Sequence, residues 1–336
     1  MPFSESVKVM LYASSGNRCA FPGCATKLVF TEEKSKALVN HGKAAHIVAE
    51  SRKGPRGRSP LSIARRNSFE NGLILCTNHH TDVVDKYPSK FSVSQLRQWK
   101  KAHERKYARS SDSRQRHLDV IRIYAEFIDQ WSELAYLNAW YNWTAPLLRA
   151  GSSCLSSTVY QSYIELCSWI AARVWPGKIQ PLEDAIQNFG RVAVDFIFTF
   201  DRHSEAHGEM YCTEKFYKQL PARQWDERQK AIARFQFHVG LVEDLTVELT
   251  RAANLVCQRV RETIDADFRR DEGHLMIETG MYEDMSYRRH VVRYRKSELK
   301  RSPYPGIARF MKARNKRDFH LGSGADPEYL KPDSNS

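Results

Sequence analysis

Three cysteines and a histidine, gathered into two close pairs, constrain this chain more than any other feature of its 336 residues. Cys19 and Cys24 flank a tight Phe-Pro-Gly turn, and Cys76 stands just ahead of His79. Thiolate and imidazole are ligands that Zn2+ prefers, and two such knuckles can close a tetrahedral Cys3His site with no open position. Such an ion contributes roughly 10 kcal/mol or more to the folding of a small domain with little core. The competing reading is that Cys19, Cys24 and Cys76 are small buried apolar residues. Cys154, Cys167, Cys212 and Cys257 show no pair spacing. An odd, sparse set of seven is not a disulfide framework and fits a reducing cytoplasm.

The length suggests two domains, and 42% hydrophobic content with 11% aromatics excludes a mainly disordered chain. No apolar run is long enough to span a membrane, and the first residues do not read as a signal peptide. Charge is uneven. Residues 1–110 hold 20 Lys and Arg against 8 Asp and Glu. Residues 286–317 hold 12 basic side chains against Glu298 alone, and the stretch between is acidic. Two basic zones around an acidic middle are the footprint of a polyanion partner such as nucleic acid, or else solvated surface.

Periodicity and turn signals predict a short helix over 6–16, strands over 42–48 and 72–76, and a short helix over 78–86 that Pro88 ends. Residues 50–70 form a polar loop rich in Gly, Pro and Arg. Ser92 or Ser94 can cap a helix running to about 107, and 110–115 is a linker candidate. Helical spacing then recurs over 117–149, 157–175, 182–200 and 224–263, which implies a bundle. Short strands follow at 275–279 and 286–295, then a basic element at 306–317. The fold class is therefore α+β: residues 1–110 as one domain, 116–320 as a mainly helical domain with a small β and basic element, and 321–336 as a polar tail.

The first domain resembles the HNH (ββα-metal) endonuclease family. The resemblance rests on RCAFPGC, GKAAHIVAESRKGPRG, NGLILCTNHHTDVVDKYP and LRQWKKAHE in that order, and spans about residues 11–107. This spelling looks like nuclease effectors of bacterial anti-phage systems, including the HNH component of Zorya-type systems. The resemblance implies that His46, on the first strand, is the general base, and that Asn71 orients the loop and the base. It implies that His80, opening the helix, ligates a catalytic divalent ion while His79 faces the zinc. Many relatives carry Asp or His just before the base, where this chain has Ala45. The second ligand is then Asp85 or Asp82, with Asp85 first and a plain surface carboxylate as its alternative. Mg2+ tolerates so few protein ligands, as do Mn2+ and Ni2+. Arg52, Lys53, Arg56, Arg58, Arg65 and Arg66 would touch the phosphate backbone, giving salt-dependent affinity with little sequence information.

The expected activity is metal-dependent hydrolysis of DNA phosphodiesters, by nicking or double-strand cleavage, in a cytoplasmic anti-phage role. An RNase or modified-DNA restriction enzyme on the same core, and a non-catalytic zinc DNA-binding module, are the alternatives; Ala45 motivates the last. The helical half reads as a regulatory or binding domain: a sensor, a dimeriser that forms a homodimer, or a docking surface for a partner protein. Its tryptophans Trp131, Trp140 and Trp143 read as core rather than base-stacking platforms, and Asp201–Glu209 as a surface loop or helix end. The basic segment 286–317, with its interleaved tyrosines, reads as a nucleic-acid contact or as a dock on the acidic bundle.

Overall fold

The computed structural model describes residues 3–32, 38–107, 112–148, 153–221, 223–280, 282, 284–299 and 303–330. Helices combine with small antiparallel sheets, as an α+β chain requires. Contacts divide the chain into two units: Met1–Gln130 with Val260–Phe268, and Trp131–Arg259 with Arg269–Ser336. No helix among the described residues is long and apolar enough to cross a membrane.

The first unit opens with α1 (Glu5–Ser14), whose first turn is capped by Ser4 Oγ accepting from Val7 N at 3.3 Å. A two-stranded ribbon, β1 (Val29–Thr31) and β2 (Leu38–Asn40), leads into the hairpin of β3 (Gly42–His46) and β4 (Gly72–Cys76). Between those strands the long loop carries α2 (Ile63–Arg66). Then come α3 (Thr77–His80), which continues as a π-turn over Thr81–Lys86, and α4 (Val93–Tyr107). Ser92 is the α4 cap, accepting from Gln95 N at 3.2 Å. All five residues of β4, GLILC, are buried, because α1 and α3 both pack on it. Gly72 permits this approach: a Cβ there would stand 2.5 Å from Leu11 Cδ1 on α1. Leu11, Cys19, Leu28, Ile47, Leu73, Leu75, Val83 and Leu96 form the core of this layer. Strand β3 ends at His46, two residues short of the expected strand, because Ile47 and Val48 bond to Asn71 instead.

Helix α5 (Asp112–Leu134) follows; the first residues of the expected linker at 110–115 lie outside the described residues and the rest begin this helix. The helix expected over 117–149 is broken. Tyr136 takes a left-handed φ of 52°, and the chain resumes as a 3-10 turn and α6 (Trp140–Thr144). In the second unit, α7 (Ser157–Ala172) and α8 (Gln180–Asp201) pack together, and Trp131, Trp140 and Trp143 are buried core side chains. A three-stranded sheet was not foreseen: β5 (Cys154–Ser156), β6 (Ser204–His207) and β7 (Met210–Thr213), in the order β5-β7-β6. The Asp201–Glu209 segment thus turns a hairpin at Gly208, φ 63°. Register sets Cys154 opposite Cys212, and the two form a disulfide, correcting the expectation that neither is paired.

Helix α9 (Trp225–Thr263) comes next, followed by β8 (Met276–Thr279), β9 (Arg288–Val291) and α10 (Ile307–Ala313). Its acidic residues receive the basic segment. Arg314 meets Asp244 at 3.2 Å with both side chains buried, and Arg317 meets Glu248 at 2.7 Å and also pairs with Glu298. Charge complementarity within this unit explains both residues without a nucleic acid. Residues 321–330, expected in a polar tail, are also engaged: Asp244 accepts from Leu321 N and Gly322 N at 2.6 and 3.0 Å. Residues 331–336 lie outside the described residues.

Candidate metal-binding and catalytic site

The two sequence knuckles meet. Cys24 N bonds to Phe21 O at 3.0 Å, closing the turn in which Gly23 adopts φ 79°. Cys19 lies beside the end of β4, and Cys76 N donates to its sulfur at 3.2 Å. His79 turns Nδ1 toward the thiols, 3.5 Å from Cys19 Sγ and 3.2 Å from Cys76 Sγ. The ligand atoms of Cys19, Cys24, Cys76 and His79 all lie within 4.8 Å of one another. A tetrahedron with sulfur bonds of about 2.3 Å has edges of about 3.8 Å, so the group fits an ion at its centre. These four residues can hold a metal ion, and the set is compatible with structural zinc. Phe21 stacks on the His79 ring at 3.9 Å and 4°, and Trp99 of α4 meets Phe21 edge-on at 5.0 Å, fixing the imidazole. Burial pushes the Cys19 thiol up to about 12. A divalent cation reverses that preference by stabilising the thiolate.

Register sets Gly42 against Cys76 and His46 against Gly72, so His46 stands at the other end of the hairpin from Cys76. Asn71 is buried and spends its amide on the chain beyond His46: Oδ1 accepts from Val48 N at 3.0 Å, and Nδ2 donates to Val48 O and Arg66 O at 2.8 and 2.7 Å. The His46 ring lies flat on Phe3, with centroids 3.8 Å apart and planes 8° apart. Its Nε2 is 2.9 Å from Asn67 Oδ1. Burial pulls the His46 pKa below the ordinary value, against the opposing effect of the Asn67 bond, so the ring is neutral at pH 7. Neither Phe3 nor Asn67 has a sequence spacing that would single it out. Ala45 is buried in the core and supplies no ligand.

His80 ends α3, and its Nδ1 is buried without a hydrogen-bond partner. That atom faces Asp85 Oδ2 at 3.7 Å, beyond hydrogen-bond reach. Burial pulls the His80 pKa down, Asp85 opposes this, and the charges of Lys43 and His46 add to the lowering. The π-turn over Thr81–Lys86 carries Asp82 and Asp85, with the Asp85 carboxylate largely in solvent.

Two of the six basic residues expected on phosphates are corrected. Arg66 is 2% exposed, and its guanidinium donates to Leu61 O, Ala49 O, Gly57 O and Ser59 O. Arg56 is half-buried and donates to Ile47 O, Val83 O and Pro88 O at 2.7, 3.2 and 3.0 Å, tying the loop after β3 to the π-turn. A loop this long and polar must satisfy its carbonyls internally, and a five-donor fork does so. Gly57 lets it close, since a Cβ there would stand 2.2 Å from Ser51 O. Arg52, Lys53, Arg58 and Arg65 are exposed. Arg66→Ala is expected to destabilise the first unit by about 3 kcal/mol, since a buried guanidinium is removed and four loop carbonyls lose their donor. Arg65→Ala next to it should cost less than about 0.5 kcal/mol. Denaturant midpoints of the two variants give the comparison; equal midpoints would refute the structural assignment of Arg66.

A scan against protein-family models finds no match to this chain, and a comparison with curated proteins finds none either.

Proposed function

We propose that this chain is a metal-dependent endonuclease of the HNH type that hydrolyses DNA phosphodiesters. The observation that carries the reading is the presence of two unlike histidines in one small unit. One is neutral and held by Phe3 and Asn67; the other has a buried, unpartnered Nδ1 facing a carboxylate. The orphaned His80 nitrogen and Asp85 fit a divalent cation, because neutral imidazole and carboxylate are ligands for one. Bound there, the cation would supply Lewis-acid neutralisation of charge on the scissile phosphate. His46 takes the proton from the attacking water, a task that needs a neutral imidazole at working pH. Asn71 and Arg56 hold the chain beyond His46 so that the ring keeps its place. The Cys3His group staples the far end of the hairpin. The anti-phage role rests on the sequence motifs alone.

Supercoiled plasmid incubated with Mg2+ or Mn2+ is expected to yield nicked circles, and none with EDTA. RNA and modified DNA in parallel distinguish the other nuclease readings. Tight, metal-insensitive binding without turnover would instead favour the non-catalytic module that Ala45 suggests. Arg52, Lys53, Arg58 and Arg65 form the proposed phosphate contacts. Changing all four to alanine should reduce the slope of log affinity against log salt by up to about 4, near one per lost contact. An unchanged slope would remove this loop from the interface.

A further inference from the structure

We infer that Asn67 is a positioning residue that selects the His46 tautomer and leaves Nδ1 as the proton acceptor; this rests on the reading of His46 as the base. A neutral imidazole carries one N–H and one lone pair, and the bond made by one nitrogen decides the role of the other. Asn67 presents its carbonyl oxygen at 2.9 Å from Nε2. Only a protonated Nε2 can satisfy that acceptor, so Nδ1 keeps the lone pair.

The surroundings hold Asn67 in place. Its backbone N–H closes α2 on Ile63 O at 3.1 Å. Residue 66 is held by its guanidinium on four carbonyls, and its own carbonyl accepts from Asn71 Nδ2 at 2.7 Å. The amide is thus carried by backbone held at residues 66 and 67. The other face of the arrangement is Phe3, parallel to the imidazole at 3.8 Å. A ring flip would drive the edge of the imidazole into the Phe3 face, so stacking blocks exchange of the two nitrogens. Phe3 sets the ring plane and Asn67 sets which nitrogen is which.

The inference separates Asn67 from Asn71. Asn71 bonds only to backbone and shapes the loop, whereas Asn67 bonds to the base itself. Loss of Asn71 should disturb the fold locally; loss of Asn67 should disturb the imidazole.

The test uses the full-length protein with 15N-labelled histidine, with the His46 signals assigned through His46→Gln. Long-range 1H–15N spectra read which ring nitrogen bears the proton. The wild-type ring is expected to be a single species protonated at Nε2. Asn67→Ala is expected to give a mixture of tautomers and a cleavage rate about 10- to 100-fold lower, with the fold retained. Asn67→Asp keeps the acceptor in the same place, and is expected to restore the single Nε2–H species and recover part of the rate. A wild-type ring protonated at Nδ1, or an alanine variant with an unchanged ring spectrum, would overturn the inference. Should the wild type cleave no substrate, the nuclease reading fails, while the spectra still decide what Asn67 does to His46.

Discussion

His46→Ala is expected to lower plasmid nicking by about 10²- to 10⁴-fold, the usual contribution of a positioned general base. The fold should persist. His46 stands at the end of the hairpin away from Cys76, so its loss leaves the Cys3His group intact, and metal content measured by elemental mass spectrometry should equal that of the wild type. What the fold loses is one ring stack and one hydrogen bond, about 1 to 2 kcal/mol together. The pH profile carries a second signature. Burial holds the His46 pKa below the ordinary value, so the base stays neutral to lower pH than a solvent-exposed histidine would. The acidic limb of the rate should therefore fall below pH 6.5, the ordinary histidine midpoint. Undiminished cleavage by the alanine variant would remove His46 from the chemistry.

Removing the metal from the Cys3His group is expected to have the largest effect on stability. The first unit buries a modest core around β4, and two of its segments, the Cys19–Cys24 turn and the junction of β4 with α3, converge on the four ligands. Structural zinc contributes on the order of 10 kcal/mol to comparable small sites, more than the whole net stability of many domains. Treatment with a strong chelator, or Cys76→Ser, should unfold the hairpin region and release about one metal equivalent per chain. The second unit has its own core of buried aromatic and aliphatic side chains, so helical circular dichroism from it should survive and melt separately. Cys257→Ser, which alters a buried thiol outside the group, is the control and should keep its metal. A chelated protein that melts as the untreated one does would show that the group does not staple the fold.

Much of the candidate site was legible in the chain. The two-knuckle spacing, the Pro-Gly turn and the apolar GLILC run are short-range signals, and short-range geometry follows from turn chemistry and strand alternation. Hence Cys19, Cys24, Cys76 and His79 converge, and the hairpin, short helix and Ser92-capped helix fall where the pattern sets them. The basic loop was misread in part because composition counts charges without knowing which carbonyls lie nearby. Arg66 and Arg58 look alike in the sequence, yet one is buried on four oxygens and the other is exposed. The segment 286–317 posed the same ambiguity, which is resolved for Arg314 and Arg317 by the acidic side chains of α9.

By itself, the sequence determined the local units: which residues can gather on a metal ion, where strands turn, and that a strand-borne histidine and a helix-borne one belong to the same small module. Tertiary structure alone decided what surrounds them. Phe3 and Asn67 reach His46 from distant or irregular segments, and Cys154 finds Cys212 across 58 residues through strand register. Spacing encodes what neighbours in the chain can do, whereas burial and the pairing of polar groups depend on which segments the collapsed core brings together.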